Sequence, residues 1–179
     1  ALNHLIHNYT KPYIAFMDGI VMGGGMGISQ GAALRVVTER TKMAMPETAI
    51  GLFPDVGGGY FLSRCPGRVG EWLALTGDTI GAGDAIAYQL ADGCMPSDRQ
   101  VAVWDALATQ NFADGAAIKA YVASQFVAAQ ASGSSAQADI DQYFALPTVG
   151  DIVRGLEAAD GAWARATAAT LRKRSPLML

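Results

Sequence analysis

Two runs of three glycines, Gly23-Gly24-Gly25 and Gly57-Gly58-Gly59, constrain this chain more than any other feature. Glycine inside a helix or strand is costly in backbone entropy, so a triplet belongs where an element begins or where backbones approach closely. The first triplet stands behind an apolar strand sequence, "PYIAFMDG" (12–19), and in front of "MGISQGAA", whose small side chains let a helix start against another backbone. Two further short strands are expected, "LRVVTE" (34–39), rich in β-branched residues, and "KMAMPE" (42–47), stopped by Pro46. A glycine-rich loop over 51–59 follows. A helix is expected over "GRVGEWLALTG" (67–77) with Gly77 as its stop, and another over "AGDAIAYQLADG" (82–93) with Asp84 in its first turn.

Past Asp98 the β-branched runs vanish and alanine dominates. Apolar residues recur at helical spacing at Val103 and Leu107, at Ile118, Tyr121 and Val122, and at Ile152 and Leu156. Thr148 and Asp151 form a capping pair, and residues 128–139 read as a flexible joint. The chain is therefore expected to divide into an α/β part over 1–97 and an all-helical part over 98–179. It opens on helical sequence at Ala1 and closes on an apolar run with nothing to pack on, as a fragment of a longer protein would.

The 179 residues suffice for one domain with a real core, or for part of a larger one, and 51% apolar against 16% charged residues excludes a disordered tail. A net charge of -3 without any basic stripe excludes a nucleic-acid surface. Asp18 and the glycines interrupt the best apolar run, so no segment is read as spanning a membrane. Cys65 and Cys94 have no metal-ligand spacing and read as reduced thiols of an intracellular protein. His4 and His7 lack a third ligand and read as surface or packing residues; Trp72, Trp104 and Trp163 read as core or interface.

Chemistry points to one stretch, "PETAIGLFPDVGGGY" (46–60). Glu47 and Asp55 stand among Ile50, Leu52, Phe53 and Val56 with no basic partner, although a carboxylate in apolar surroundings is costly to desolvate. Singly, Glu47 could cap a helix and Asp55 could stabilise a turn. Together they fit an acid/base pair whose proton affinities burial pushes apart. The first glycine triplet is either tight strand–helix packing or an oxyanion or phosphate site, where Gly23 and Gly24 would offer backbone N–H groups at the positive end of a helix. It is not the dinucleotide-binding fingerprint and lacks the Lys-Ser/Thr of a phosphate loop; no G-x-S-x-G elbow occurs.

"KPYIAFMDGIVMGGGMGIS", "MAMPETAIGLFPDVGGGYFLSR" and "LALTGDTIGAGDAIAYQLAD" resemble, in order and spacing, consecutive signatures of the crotonase (enoyl-CoA hydratase/isomerase) superfamily. Within it the chain is most similar to the branch that hydrolyses 3-hydroxyisobutyryl-CoA in valine breakdown. The resemblance is strong over 11–93 and weaker over the last thirty residues, and 94–147 are poorly covered by any recognised motif. It implies a layered β/α core, here partial, followed by helices. It implies an acyl-CoA substrate whose thioester oxygen meets the N–H of Gly24, Glu47 as general base or nucleophile, and Asp55 bound to the substrate's 3-hydroxyl or handling the second proton. Hydratases carry a catalytic glutamate where this chain has Gly27, and commonly a glycine where it has Asp55. No cofactor and no metal is implied, coenzyme A being part of the substrate; a homo-oligomer is possible. The alanine-rich composition points to a bacterial, hence cytoplasmic, protein, or a mitochondrial one if eukaryotic. A hydratase or isomerase on the same scaffold, and a non-catalytic truncated module, are the alternatives.

Overall fold

The structure, a computed structural model, describes residues 2–129 and 136–177. Five short strands form two small parallel sheets. Strands β1 (Ile14–Met17), β3 (Leu34–Val37) and β5 (Gly93–Cys94) make the first, in the order β1-β3-β5. Strands β2 (Ile20–Met22) and β4 (Lys42–Ala44) make the second. Ile14 pairs with Leu34 and Met17 with Val37, while Ile20 pairs with Lys42 and Met22 with Ala44.

The chain passes from one sheet to the other at two corners, and polar side chains stitch the corners together. Asp18 accepts from Thr38 Oγ1 at 2.6 Å and is ion-paired with Arg40, which holds its carboxyl below the usual range. Thr41 Oγ1 donates to Met17 O at 2.6 Å, and Lys42 N donates to Gly19 O at 2.8 Å. These bonds satisfy backbone groups that the ends of such short strands would otherwise bury unpaired.

Helix α1 (Leu2–His7) precedes the strands, and α2 (Gly24–Ser29) starts on the first glycine triplet as expected. A single 3-10 turn, Glu47–Ile50, follows β4, and α3 is Gly58–Leu62. The expected glycine loop thus ends early, because Gly58 and Gly59 already belong to a helix. Helix α4 (Val69–Thr76) stops at Gly77 as expected. Helix α5 (Ala82–Ala87) is shorter than the expected 82–93. Gln89 takes a left-handed φ of 62°, and the N–H groups of Leu90 and Ala91 both turn back to Ala85 O. That reversal releases Gly93 and Cys94 to pair with β3, a strand two residues long that no period can reveal.

Past a short turn at Ser97–Arg99 every described element is helical: α6 (Gln100–Thr109), α7 (Gly115–Ala123), α8 (Gln137–Phe144), α9 (Val149–Glu157) and α10 (Ala162–Leu171). Of the joint expected over 128–139, residues 130–135 lie outside the described residues, and 137–139 are the first turn of α8. Thr148 caps α9 by accepting from Asp151 N at 3.1 Å. Thr148→Ala should cost about 1 kcal/mol of unfolding free energy, read as a shift in denaturation midpoint.

One core joins the sheets to the late helices: Met26, Met43, Met45 and Leu73 are buried with Ile140, Leu156, Ala168 and Leu171. A second, smaller cluster places Val36 of β3 against Met95, Val103 and Val122. Leu156 has no exposed surface, and Leu156→Ala should cost about 2–5 kcal/mol, the spread reflecting how far the site can collapse.

Trp72 is buried, whereas Trp104 is 49% exposed with its ring edge-on to Phe16 at 5.8 Å. Cys65 and Cys94 are both buried free thiols, and burial pushes Cys65 up to about 11.

Candidate active site

Parallel pairing of β2 with β4 brings two distant sequence features to the same end of one small sheet. Met22 and Ala44 are cross-strand partners, and Gly23 N continues the ladder to Ala44 O at 3.2 Å. One residue further along, β2 opens into α2 at Gly24; three residues further along, β4 reaches Glu47. The carboxyl ends of adjacent parallel strands are where such folds collect ligands.

Gly23 has a left-handed φ of 49°, and a Cβ there would lie 2.8 Å from Glu47 Oε1. Its missing side chain is therefore the space the glutamate occupies. The first N–H groups of α2 lack intrahelical acceptors and stand at the positive end of the helix dipole. A Cβ built at Gly24 would meet nothing within 4 Å, so the space on that side of its backbone is open.

Glu47 is 5% exposed, and its Oε2 is buried without a hydrogen-bond partner. Burial pushes its carboxyl above the ordinary glutamate range, and the negative charge of Asp55 adds to that rise. Asp55 is half-buried rather than fully buried, and its carbonyl accepts from Gly58 N at 2.6 Å. The expected pair has unequal surroundings: a desolvated glutamate with one oxygen unpartnered, and a wetter aspartate near enough for its charge to act on the glutamate.

Val56 and Asn3 belong to the site and were not expected from the sequence. Val56 takes a φ of 45°, a conformation in which a β-branched residue is a strained outlier. Its carbonyl accepts from Asn3 Nδ2 at 2.5 Å. Its side chain lies on Gly27: a Cβ at Gly27 would be 2.5 Å from Val56 Cβ and 2.7 Å from its Cγ2. The place from which a helix α2 side chain would enter the site is filled by valine. A β-branched residue directly before a glycine run was the one local hint, and nothing near Asn3 announces its contact 53 residues away.

A cavity of about 230 Å³ adjoins the site through Gly27, Val56 and Gly57, lined further by His4, His7 and Tyr60; neither carboxylate lines it. Arg64 stacks on the Tyr60 ring at 3.5 Å, and Arg68 pairs with Glu71 at 2.7 Å, so both arginines have structural partners. Among the described residues no cluster of three metal-ligating side chains occurs, and no helix is long and apolar enough to cross a membrane.

Two parallel sheets whose ends open on a glycine-started helix and a buried carboxylate have the layout of the crotonase fold. The solved carnitinyl-CoA dehydratase from Mycobacterium thermoresistibile is similar to this chain with a TM-score of 0.89 and 41% identity, over 98% of this chain and 50% of that one. The enoyl-CoA hydratase/isomerase family model matches residues 1–179, and the chain belongs to that family. Among curated relatives, 3-hydroxyisobutyryl-CoA hydrolase 1 of Arabidopsis thaliana is 40% identical over 187 residues, covering 99% of this chain and 49% of that protein. The small ribosomal subunit protein mS47 of Neurospora crassa is 64% identical over 75 residues, 42% of this chain and 15% of that protein. The chain spans about half the length of 3-hydroxyisobutyryl-CoA hydrolases that it matches end to end.

Proposed function

We propose that the protein containing this chain hydrolyses an acyl-CoA thioester, 3-hydroxyisobutyryl-CoA in the first instance, to the hydroxy acid and free CoA. The observation that carries this is Glu47, a buried carboxylate with one oxygen unpartnered, set beside the glycine start of α2 while Val56 occupies the room for a second acid at Gly27. Hydration of a double bond in this family is expected to use two acids on the substrate; hydrolysis needs one acid, one water and an oxyanion site. The names of full-chain relatives support the hydrolase, and the dehydratase named above supports a hydratase-type reaction as the second reading.

In the general-base route Glu47 takes a proton from water as the water oxygen bonds to the thioester carbon. The carbonyl oxygen becomes an oxyanion that accepts from Gly24 N–H. Removing one such donor generally costs about 3–4 kcal/mol of barrier. The C–S bond then breaks, and the departing CoA thiolate takes the proton back from Glu47. In the nucleophilic route Glu47 itself bonds to the carbon, the thiolate leaves, and water cleaves the resulting anhydride. Label in Glu47 after a single turnover in heavy-oxygen water would establish the second route, since water that cleaves the anhydride at the Glu47 carbonyl leaves its oxygen there, and trapping of the anhydride with hydroxylamine detects that route when water attacks the acyl carbon instead. Neither route calls for a metal or for any cofactor beyond the CoA of the substrate. The cytoplasm, or the mitochondrion in a eukaryote, is the compartment that fits.

In this reading Asp55, half-buried and close enough to act on the charge of Glu47, holds the 3-hydroxyl. Asp55→Asn should lower kcat/KM on 3-hydroxyacyl thioesters by at least about tenfold more than on plain acyl thioesters, because a site built to bind a hydroxyl discriminates strongly by it. Equal losses on both would remove that role. The same variant removes a negative charge that raises Glu47. Activity requires ionised Glu47, so it is lost as pH falls through the raised value; in Asp55→Asn that acid limb should move to lower pH. Release of CoA thiol from 3-hydroxyisobutyryl-CoA, run beside hydration of crotonyl-CoA on the full-length protein, tests the whole assignment. Hydration without thiol release would overturn it.

A further inference from the structure

The turn that carries Glu47 is held from behind by residues more than 120 positions later in the chain. Ser175 N donates to Thr48 O at 2.9 Å, directly after the glutamate, and Thr48 Oγ1 donates to Leu75 O at 3.2 Å. Arg174 Nε donates to Thr76 O at 2.7 Å, and its Nη2 donates to the same oxygen. Thr76 is the last residue of α4, so this carbonyl is one of those that a helix end leaves without an intrahelical donor, and a guanidinium is favoured there by the dipole. Gly77, the next residue, leaves no free space on its own far side: a Cβ there would be 3.0 Å from Pro46 Cα and 3.2 Å from Met45 O. Thr48 and Thr76 are both buried. The stretch from Met45 to Thr48 is thereby held between the end of α4 and the Arg174–Ser175 segment.

From this geometry we infer that Arg174 is a positioning residue for Glu47, and that the Arg174–Ser175 segment after α10 is the brace that keeps the carboxylate in its dry place next to Gly23. The inference rests on the assignment of Glu47 as the reacting acid. The physical need is plain. Glu47 has no side-chain partner holding Oε2, so only its backbone can fix it, and a misplacement of about 1 Å in a reacting group can cost about 10²-fold in rate. Arg174 bonds to Thr76 O and lies beside Gly77, which in turn packs on Pro46, so its reach to Glu47 runs through those residues. Asp78, which burial pushes up and Arg174 draws down, is the other titratable group facing the guanidinium at this end of α4.

The test uses the full-length protein with Arg174→Ala, Arg174→Lys, Glu47→Gln and the double variant Glu47→Gln/Arg174→Ala, assayed by thiol release from 3-hydroxyisobutyryl-CoA. Arg174→Ala should lower kcat by about 10–10²-fold with KM within about threefold. Its acid limb should move to lower pH, because a loosened turn lets water reach Glu47. Arg174→Lys, which keeps a donor and a charge at Thr76 O, should recover part of the loss and also serves if the alanine variant folds poorly. Adding Arg174→Ala to Glu47→Gln should cause no further fall in the residual rate. Wild-type kcat and acid limb in both Arg174 variants, beside an inactive Glu47→Gln, would overturn the brace and leave Glu47 standing. A multiplicative loss in the double variant would show that Arg174 acts elsewhere, and would equally overturn it. Near-normal turnover in Glu47→Gln would instead remove the role of Glu47, and the brace with it.

Discussion

Glu47→Gln in the full-length protein should lower kcat for thioester hydrolysis by about 10²–10⁴-fold, the contribution typical of a positioned acid or base. Substrate affinity should stay within a few-fold. Glutamine has the same shape, so it fits the space left by the missing side chain of Gly23 and the turn at Glu47–Ile50 has no reason to move. What is lost is the ability to accept a proton from water or to attack the carbonyl. The substitution also removes a costly buried charge, so the variant should be at least as stable as the parent. A variant with unchanged melting and lost turnover separates chemistry from folding; one with near-normal turnover ends the assignment.

Gly27→Glu should not create a hydratase. A Cβ at that position would lie 2.5–3.0 Å from three atoms of Val56, and those atoms cannot withdraw freely. Val56 is already in a left-handed conformation, and its carbonyl is held by Asn3. Overpacking of this kind costs about 1–3 kcal/mol. Moving Val56 also drags Asp55, its neighbour in the chain, so thiol release should fall by about 10²-fold. Crotonyl-CoA hydration should stay at background. Glycine accepts a φ of 45° without strain and has no side chain to meet the new glutamate, so Val56→Gly/Gly27→Glu should recover much of the lost stability. Gly27→Glu with full stability and full thiol release would show that Val56 yields easily and is no barrier.

The local stops of the fold were legible in the residues themselves. Pro46 closing a strand, Gly77 ending a helix and Thr148 opening one act within a few positions of where they stand, and each does so in the structure. Elements that depended on distant partners were not legible. Strand β2 is three residues long and exists because β4 pairs with it. Strand β5 is two residues long, and it appears only because α5 breaks at Gln89 and β3 has a free edge. A hydrophobic period needs more residues than either strand has.

The amino-acid sequence by itself determined which groups are available: two carboxylates without a basic neighbour, glycines where a helix must start, and no side chain at Gly27. It also determined the local stops that cut the chain into short strands and helices. Only the tertiary structure decided which carboxylate is dry. Desolvation is a property of everything that surrounds a group, and the turn that carries Glu47 lies beside Gly23 and is bonded through Thr48 to Leu75 of α4 and to Ser175, residues brought together by parallel pairing and a shared core. The strained placement of Val56 over Gly27 was decided there too, since a contact across 29 residues leaves no periodic trace in the chain.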